Sequence, residues 1–200
     1  MGELYLHDLN SYIDRHGLTC FVETGTGKGT GLAYALQCQF KKWYSIEIEP
    51  VLFAETFEKF GRIPGVKLIL DNSVDGLDRL LPRLADERVL FWLDAHFPGA
   101  DFQLARYDDE PDPSVRLPLM DELKVIAENR QDKADVLIID DLRLFEEGCY
   151  EDKIPDDFRS AHADFSVIPQ AEKLFGDSHV FTRDYRQQGF MILEPKDGAL

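Results

Sequence analysis

Residues 23–31 read ETGTGKGTG: a carboxylate, then glycines at 25, 27, 29 and 31, with a lysine at 28. Closely spaced glycines free the backbone for positive φ and let a bulky ligand lie against the main chain. A carboxylate at the head of such a loop suits a ligand bearing positive charge. A phosphate-binding P-loop ending on Gly27-Lys28 would need glycine at Val22 and a hydroxyl at Gly29, and has neither. A dinucleotide fingerprint would need its third glycine at Thr30 or Leu32, so only a relaxed form of it stays open. Further along, Glu47 follows the apolar Tyr44-Ser45-Ile46, Asp94 follows Phe91-Trp92-Leu93, and the pair Asp140-Asp141 follows Ile138-Ile139. If the last two runs are neighbouring parallel strands about 4.8 Å apart, three carboxylates meet at one mouth. Hard oxygen ligands gathered in that way suit Mg²⁺ or a similar divalent cation.

The elements that must carry these residues alternate. CFVETG, WYSIEIE, VKLILDN, VLFWLDA and DVLIIDD are short apolar runs, mostly ending in an acid. Near-continuous hydrophobicity of this kind marks parallel strands buried on both faces. Helical patterns lie between them at about 30–40, 51–60, 74–84 and 118–130, and a further helix is expected within 1–17. The repeated β-α unit predicts an α/β fold with a doubly wound, mostly parallel, seven-stranded sheet in a single domain over 1–200. HVFTRDY and GFMILEP are separated only by Arg186-Gln187-Gln188, too short for a crossover helix, so they are expected to close the sheet as an antiparallel hairpin. Residues 97–117 contain three prolines and five acids without a period, which predicts a lid or binding loop, mobile until a ligand orders it. Specificity for the second substrate is expected in 97–117 and 142–176, the irregular segments.

Charge and composition exclude partners. A net charge of -16 over 200 residues repels a phosphate backbone, so nucleic acid is not an expected partner. No segment approaches the roughly 20 apolar residues of a membrane span. The N-terminal MGELYLHDLN lacks a basic stretch followed by an apolar one, so a soluble, cytoplasmic protein without a membrane partner is expected. Cys20, Cys38 and Cys149 have no metal-like spacing and read as buried free thiols.

The ordered motifs resemble those of the class I S-adenosylmethionine-dependent methyltransferases, over about residues 18–195. Glu23-Thr24-Gly25-Thr26-Gly27-Lys28-Gly29 is similar to their first motif, which implies that Glu23, Gly25, Thr26, Gly27 and Gly29 hold the amino-acid end of the cofactor. Glu47 stands where the family places an acid on the ribose hydroxyls. Asp71-Asn72-Ser73 resembles the adenine-contacting Gly-Asp-Ser element, with Asn72 where aspartate is usual; an amide still accepts a hydrogen bond. The resemblance implies a Rossmann-like methyltransferase fold, and Asp94 is also expected beside the cofactor. Within the family, Asp94, Asp140 and Asp141 look like the metal ligands of catechol- and macrocin-type O-methyltransferases. That implies Mg²⁺-assisted methylation of a small-molecule hydroxyl, with catalysis by Asp94 and with His96, whose type titrates near working pH, as general base. A homodimer is also expected. A nicotinamide-dependent oxidoreductase using Glu47 on a ribose, and a non-catalytic cofactor-binding protein, remain as alternatives.

Overall fold

The computed structural model describes residues 2–130, 132–154, 156, 158 and 162–196. Met1 and residues 197–200 of the expected domain, and part of the expected specificity segment 142–176, lie outside them. Five apolar runs form β1 (Cys20–Thr24), β2 (Lys42–Glu47), β3 (Val66–Leu70), β4 (Val89–Leu93) and β5 (Val136–Ile139). The two C-terminal runs form β6 (His179–Asp184) and β7 (Phe190–Pro195). All seven join one sheet in the order β3-β2-β1-β4-β5-β7-β6. The first five are mutually parallel, and β7 lies antiparallel between β5 and β6, the expected hairpin.

The helices with described bounds are α1 (Leu9–His16), α2 (Thr30–Ala35), α3 (Pro50–Phe60), α4 (Ser73–Leu80), α5 (Pro113–Arg116), α6 (Leu119–Arg130) and α7 (Val167–Phe175). Side chains alternate across each strand, so the central strands feed two cores. On one face Val22, Ile46, Phe91, Leu93 and Ile139 pack with Leu77 of α4, Leu123 and Ile126 of α6 and Ile168 of α7. On the other, Phe21, Leu90, Trp92, Val136 and Ile138 pack with Leu9 and Ile13 of α1 and Ala35 of α2. Helices on both faces leave the strand ends as the place for a site.

Several expected boundaries move. The helix expected within 1–17 begins only at Leu9, because the Asp8 carboxylate accepts from Ser11 N–H at 3.2 Å and caps it there; a 3-10 turn, Leu4–Leu6, precedes it. α2 stops at Ala35 rather than near 40, since Cys38 and Phe40 turn inward to join the second core. The segment 97–117, expected to be an irregular lid or binding loop, is not wholly irregular: it carries a 3-10 turn, Ala100–Phe102, and α5. All three cysteines are free, but only Cys20 and Cys38 are buried; Cys149 lies exposed in an irregular segment, where its neighbour Tyr150 and not the thiol turns into the core. Among the described residues no helix is long and apolar enough to cross a membrane.

Candidate active site

Sheet register builds the site. Thr24 pairs with Ile46 on one side and Leu93 on the other, and Leu93 pairs in turn with Ile139. Gly25, Asp94 and Asp140 therefore leave three adjacent strands at the same level. The ladder runs on beyond the strands, with Gly25 N–H donating to Ile46 O at 3.0 Å, Asp94 N–H to Thr24 O at 3.2 Å and Asp140 N–H to Leu93 O at 3.0 Å.

Gly25 has a φ of 77°, and a Cβ there would stand 2.4 Å from the carbonyl oxygen of Asp94. Only glycine lets the loop pass this close to β4. A Cβ on Gly27 would meet the Phe102 ring at 2.5 Å, so Phe102 of the 97–117 segment packs directly against the glycine loop. Glu47 ties that loop down: one carboxylate oxygen accepts from Gly27 N–H at 2.7 Å and the other from Glu49 N–H at 2.8 Å. Burial raises the Glu47 pKa, and these two N–H donors pull it back. Glu23 is fully enclosed and accepts from Ser45 Oγ at 2.5 Å, while Ser45 shares a second 2.5 Å hydrogen bond with Thr26. Burial pushes the Glu23 carboxyl up to about 8, against the Ser45 hydrogen bond. Asn72 caps α4 by accepting from Asp75 N–H at 2.9 Å.

A cavity of about 320 Å³ joins these groups, lined among others by Glu23, the loop from Gly25 to Lys28, Glu47, Asn72, Ser73, Asp94 and His96. Gly29, the remaining glycine assigned to the loop, does not line it; with φ 79° it starts α2 instead, against the ring of Phe60.

Around Asp94 and His96, which line the cavity, gather further carboxylates. His96 Nε2 is 3.0 Å from Asp141 and 3.7 Å from Asp101, and its Nδ1 is 3.6 Å from the Asp94 carboxylate. Asp141, with φ 50°, also accepts from Arg143 Nε at 2.9 Å. Although burial opposes it, the hydrogen bond to Asp141 and the charges of Asp141, Asp94 and Asp101 push His96 up to about 10. The arrangement thus favours the protonated form of the imidazole expected to be a base. Asp141 moves the other way, its pKa lowered by His96 and Arg143 in spite of its burial. Asp94 and Asp140 are both raised, first by burial, and share a hydrogen bond. One oxygen of each, Asp94 Oδ1 and Asp140 Oδ1, is buried without a hydrogen-bond partner. The expected metal ligands Asp94, Asp140 and Asp141 are therefore together. The ligand atoms that gather within 4.8 Å of one another, however, belong to Asp94, His96 and Asp141.

Some participants carry no sequence signal. Gly2 N–H donates to Asp94 Oδ2 at 3.1 Å from the far end of the chain. Asp101 and Phe102 are two more residues of an aperiodic loop, and Arg143 follows the strand end as one basic residue among many.

No family model and no curated protein matches the sequence. Solved structures do match along nearly the whole chain. A Staphylococcus aureus protein provisionally named caffeoyl-CoA O-methyltransferase aligns at 10% identity over 98% of this chain and 85% of its own, with TM-score 0.61. A Streptococcus mutans protein provisionally named a methyltransferase, solved in complex with SAH, aligns at 14% identity over 98% of this chain and 100% of its own, with TM-score 0.59. An rRNA methylase from Streptococcus thermophilus aligns at 13% identity over 98% of both chains, with TM-score 0.54. The fold is that of the class I S-adenosylmethionine-dependent methyltransferases. At such identities the likeness is one of fold, and these neighbours differ in the acceptors their names imply.

Proposed function

We propose that the protein is an S-adenosylmethionine-dependent methyltransferase acting on a small-molecule hydroxyl, with a divalent cation assisting. The observation that carries the cofactor reading is the single cavity running from Glu23 and the glycine loop past Glu47 and Asn72-Ser73 to Asp94. The residues fit the cofactor: an acid beside the glycine loop suits the α-amino group, and Glu47 retains acceptor capacity for ribose hydroxyls beyond its two backbone donors. Asp94 lies where this pocket meets the carboxylate cluster.

The fit to a cation rests on the two orphaned oxygens of Asp94 and Asp140 and on the nearness of Asp141. A bound divalent ion supplies charge that orients acceptor oxygens and lowers a hydroxyl pKa. His96 can take up a proton only after the carboxylates around it are neutralised, because their charge holds its own proton in place. One observation favours metal-free methyl transfer instead: Asp141 is already compensated by His96 and Arg143.

Asp94→Asn decides between them, since it removes one anionic ligand and keeps the size. The variant is expected to bind S-adenosylmethionine nearly as well as the parent, to lose methyl transfer by about 100-fold or more, and to regain part of it at high Mg²⁺ or Mn²⁺. Activity on a confirmed acceptor that survives chelation with EDTA would remove the cation from the reading.

A further inference from the structure

The N-terminal segment runs into the candidate active site. Gly2 lines the same cavity as Glu23, Asp94 and His96, and its N–H donates to Asp94 Oδ2 at 3.1 Å. Packing a few residues further on holds it there. Leu4, in the first 3-10 turn, is buried in the second core, and the buried His7 ring stands edge-on to Phe190 with 4.7 Å between centroids. The Tyr34 hydroxyl of α2 donates to His7 O at 2.9 Å. Fastened to β7 and α2 in this way, the segment brings residue 2 to the acid that follows β4.

Only glycine fits at that point. A Cβ on residue 2 would stand 2.3 Å from Asp94 Oδ2, 2.7 Å from Asp140 Oδ2 and 2.4 Å from the Trp92 ring. Trp92 is 1% exposed in the close-packed centre of β4 and cannot yield, so the carboxylates or the segment would have to move. Gly2 therefore lies against the Oδ2 atoms of both acids. The Oδ1 atoms are the two without hydrogen-bond partners, and Asp94 Oδ1 is the one 3.6 Å from His96 Nδ1. One oxygen of Asp94 is thus held by backbone while the other faces His96. A carboxylate fixed at one oxygen presents the other in a set direction, which is what an outer hydrogen bond supplies to a metal ligand.

We infer that Gly2 is a positioning residue of the cation site: its N–H fixes Asp94 through Oδ2, and its lack of a side chain lets Asp94 and Asp140 stand together beside it. Gly2 acts through Asp94, and this role rests on the cation reading above.

The test is titration of Mn²⁺, followed by electron paramagnetic resonance, into wild type and Gly2→Ala, each with and without S-adenosylhomocysteine. Losing an outer contact commonly weakens a metal site by about 10- to 100-fold, so Gly2→Ala should bind Mn²⁺ at least about tenfold more weakly, with an altered line shape for the bound ion. Affinity for S-adenosylhomocysteine in calorimetry should stay within about threefold, since the glycine loop and Glu47 follow β1 and β2, and the melting temperature should hold. Unchanged Mn²⁺ affinity would overturn the inference. Tighter Mn²⁺ binding would overturn it too, because the segment would then block the acids rather than position them. A parallel fall of both affinities and of the melting temperature would mark a purely structural role. A second measurement needs no variant: coupling is reciprocal, so Mn²⁺ should slow amide hydrogen exchange in the N-terminal segment of the wild type. Exchange there that ignores Mn²⁺ would overturn the inference equally. A wild type that binds S-adenosylhomocysteine but takes up no Mn²⁺ would instead overturn the cation reading, and the role of Gly2 with it.

Discussion

Two buried polar clusters lie at opposite ends of the central strands, and they are built on opposite rules. At the end where β4 and β5 begin, Arg130 meets Asp135 with side chains 1% and 3% exposed. Every group there is answered: Arg130 donates to Asp135, to Leu84 O at 2.8 Å and to Glu87 O at 2.7 Å, and Asp135 also accepts from Val89 N–H at 2.8 Å. At the other end, where the strands finish, Asp94, Asp140 and Glu122 all carry buried oxygens with no hydrogen bond. A satisfied buried pair holds a fold together, because losing either partner strands a charge. An unsatisfied one marks a place where something else is meant to supply the missing contacts.

The sharpest way to break this contrast is to mutate the closed cluster. Arg130→Ala leaves Asp135 buried and unpaired, and should lower unfolding free energy by about 3 to 5 kcal/mol in urea titrations. The double change Arg130→Met with Asp135→Leu should recover most of that. A loss under about 1 kcal/mol for the single variant would mean that the pair is not structural and that the two ends do not differ in kind.

The open end should reveal itself by its response to pH. Glu23 in the folded protein holds its proton up to about 8, and Glu122 up to about 7, whereas both ordinarily ionise near 4.5. Between those limits the native state binds more protons than the unfolded chain, so stability falls as pH rises. The protein should therefore be more stable at pH 5.5 than at pH 8, by on the order of a few kcal/mol. A net charge of -16 pushes in the same direction by self-repulsion, so the control is Glu23→Gln, which should flatten the profile if burial of that acid is the cause. An equally steep profile in the variant assigns the effect to overall charge.

The smallest expected effect concerns Glu47, which belongs to both worlds, since it ties down Gly27 and Glu49 and also lines the cavity. Glu47→Ala should weaken S-adenosylmethionine binding by about 1 to 3 kcal/mol, the loss of a charged acceptor. Unchanged affinity in calorimetry would leave Glu47 as a tether of the loop alone.

The fold was largely legible because its signals are local. Runs such as VLFWLDA and DVLIIDD announce strands by composition, and three residues between HVFTRDY and GFMILEP can only turn back. The residues of the glycine loop, Glu47 and Asp94 were legible for the same reason, each lying at the end of a recognisable run. Glu122 was not, being one acid among several on an amphipathic helix, and Gly2 was not, because its partner Asp94 is 92 residues away. His96 was legible as a candidate but not in its charge. Its type suggests titration near neutrality, while three surrounding carboxylates, one of them Asp101 from the 97–117 segment, favour its protonated form.

By itself, then, the sequence determined which segments are strands and helices and which acids stand at strand ends, since backbone conformation and burial patterning depend on neighbours along the chain. Tertiary structure alone decided the strand order β3-β2-β1-β4-β5-β7-β6, and with it that Gly25, Asp94 and Asp140 emerge side by side. It also decided which acids are ionised. A carboxyl's charge is set by how deeply it is buried and by what faces it across the strands, and neither is a property of adjacent residues.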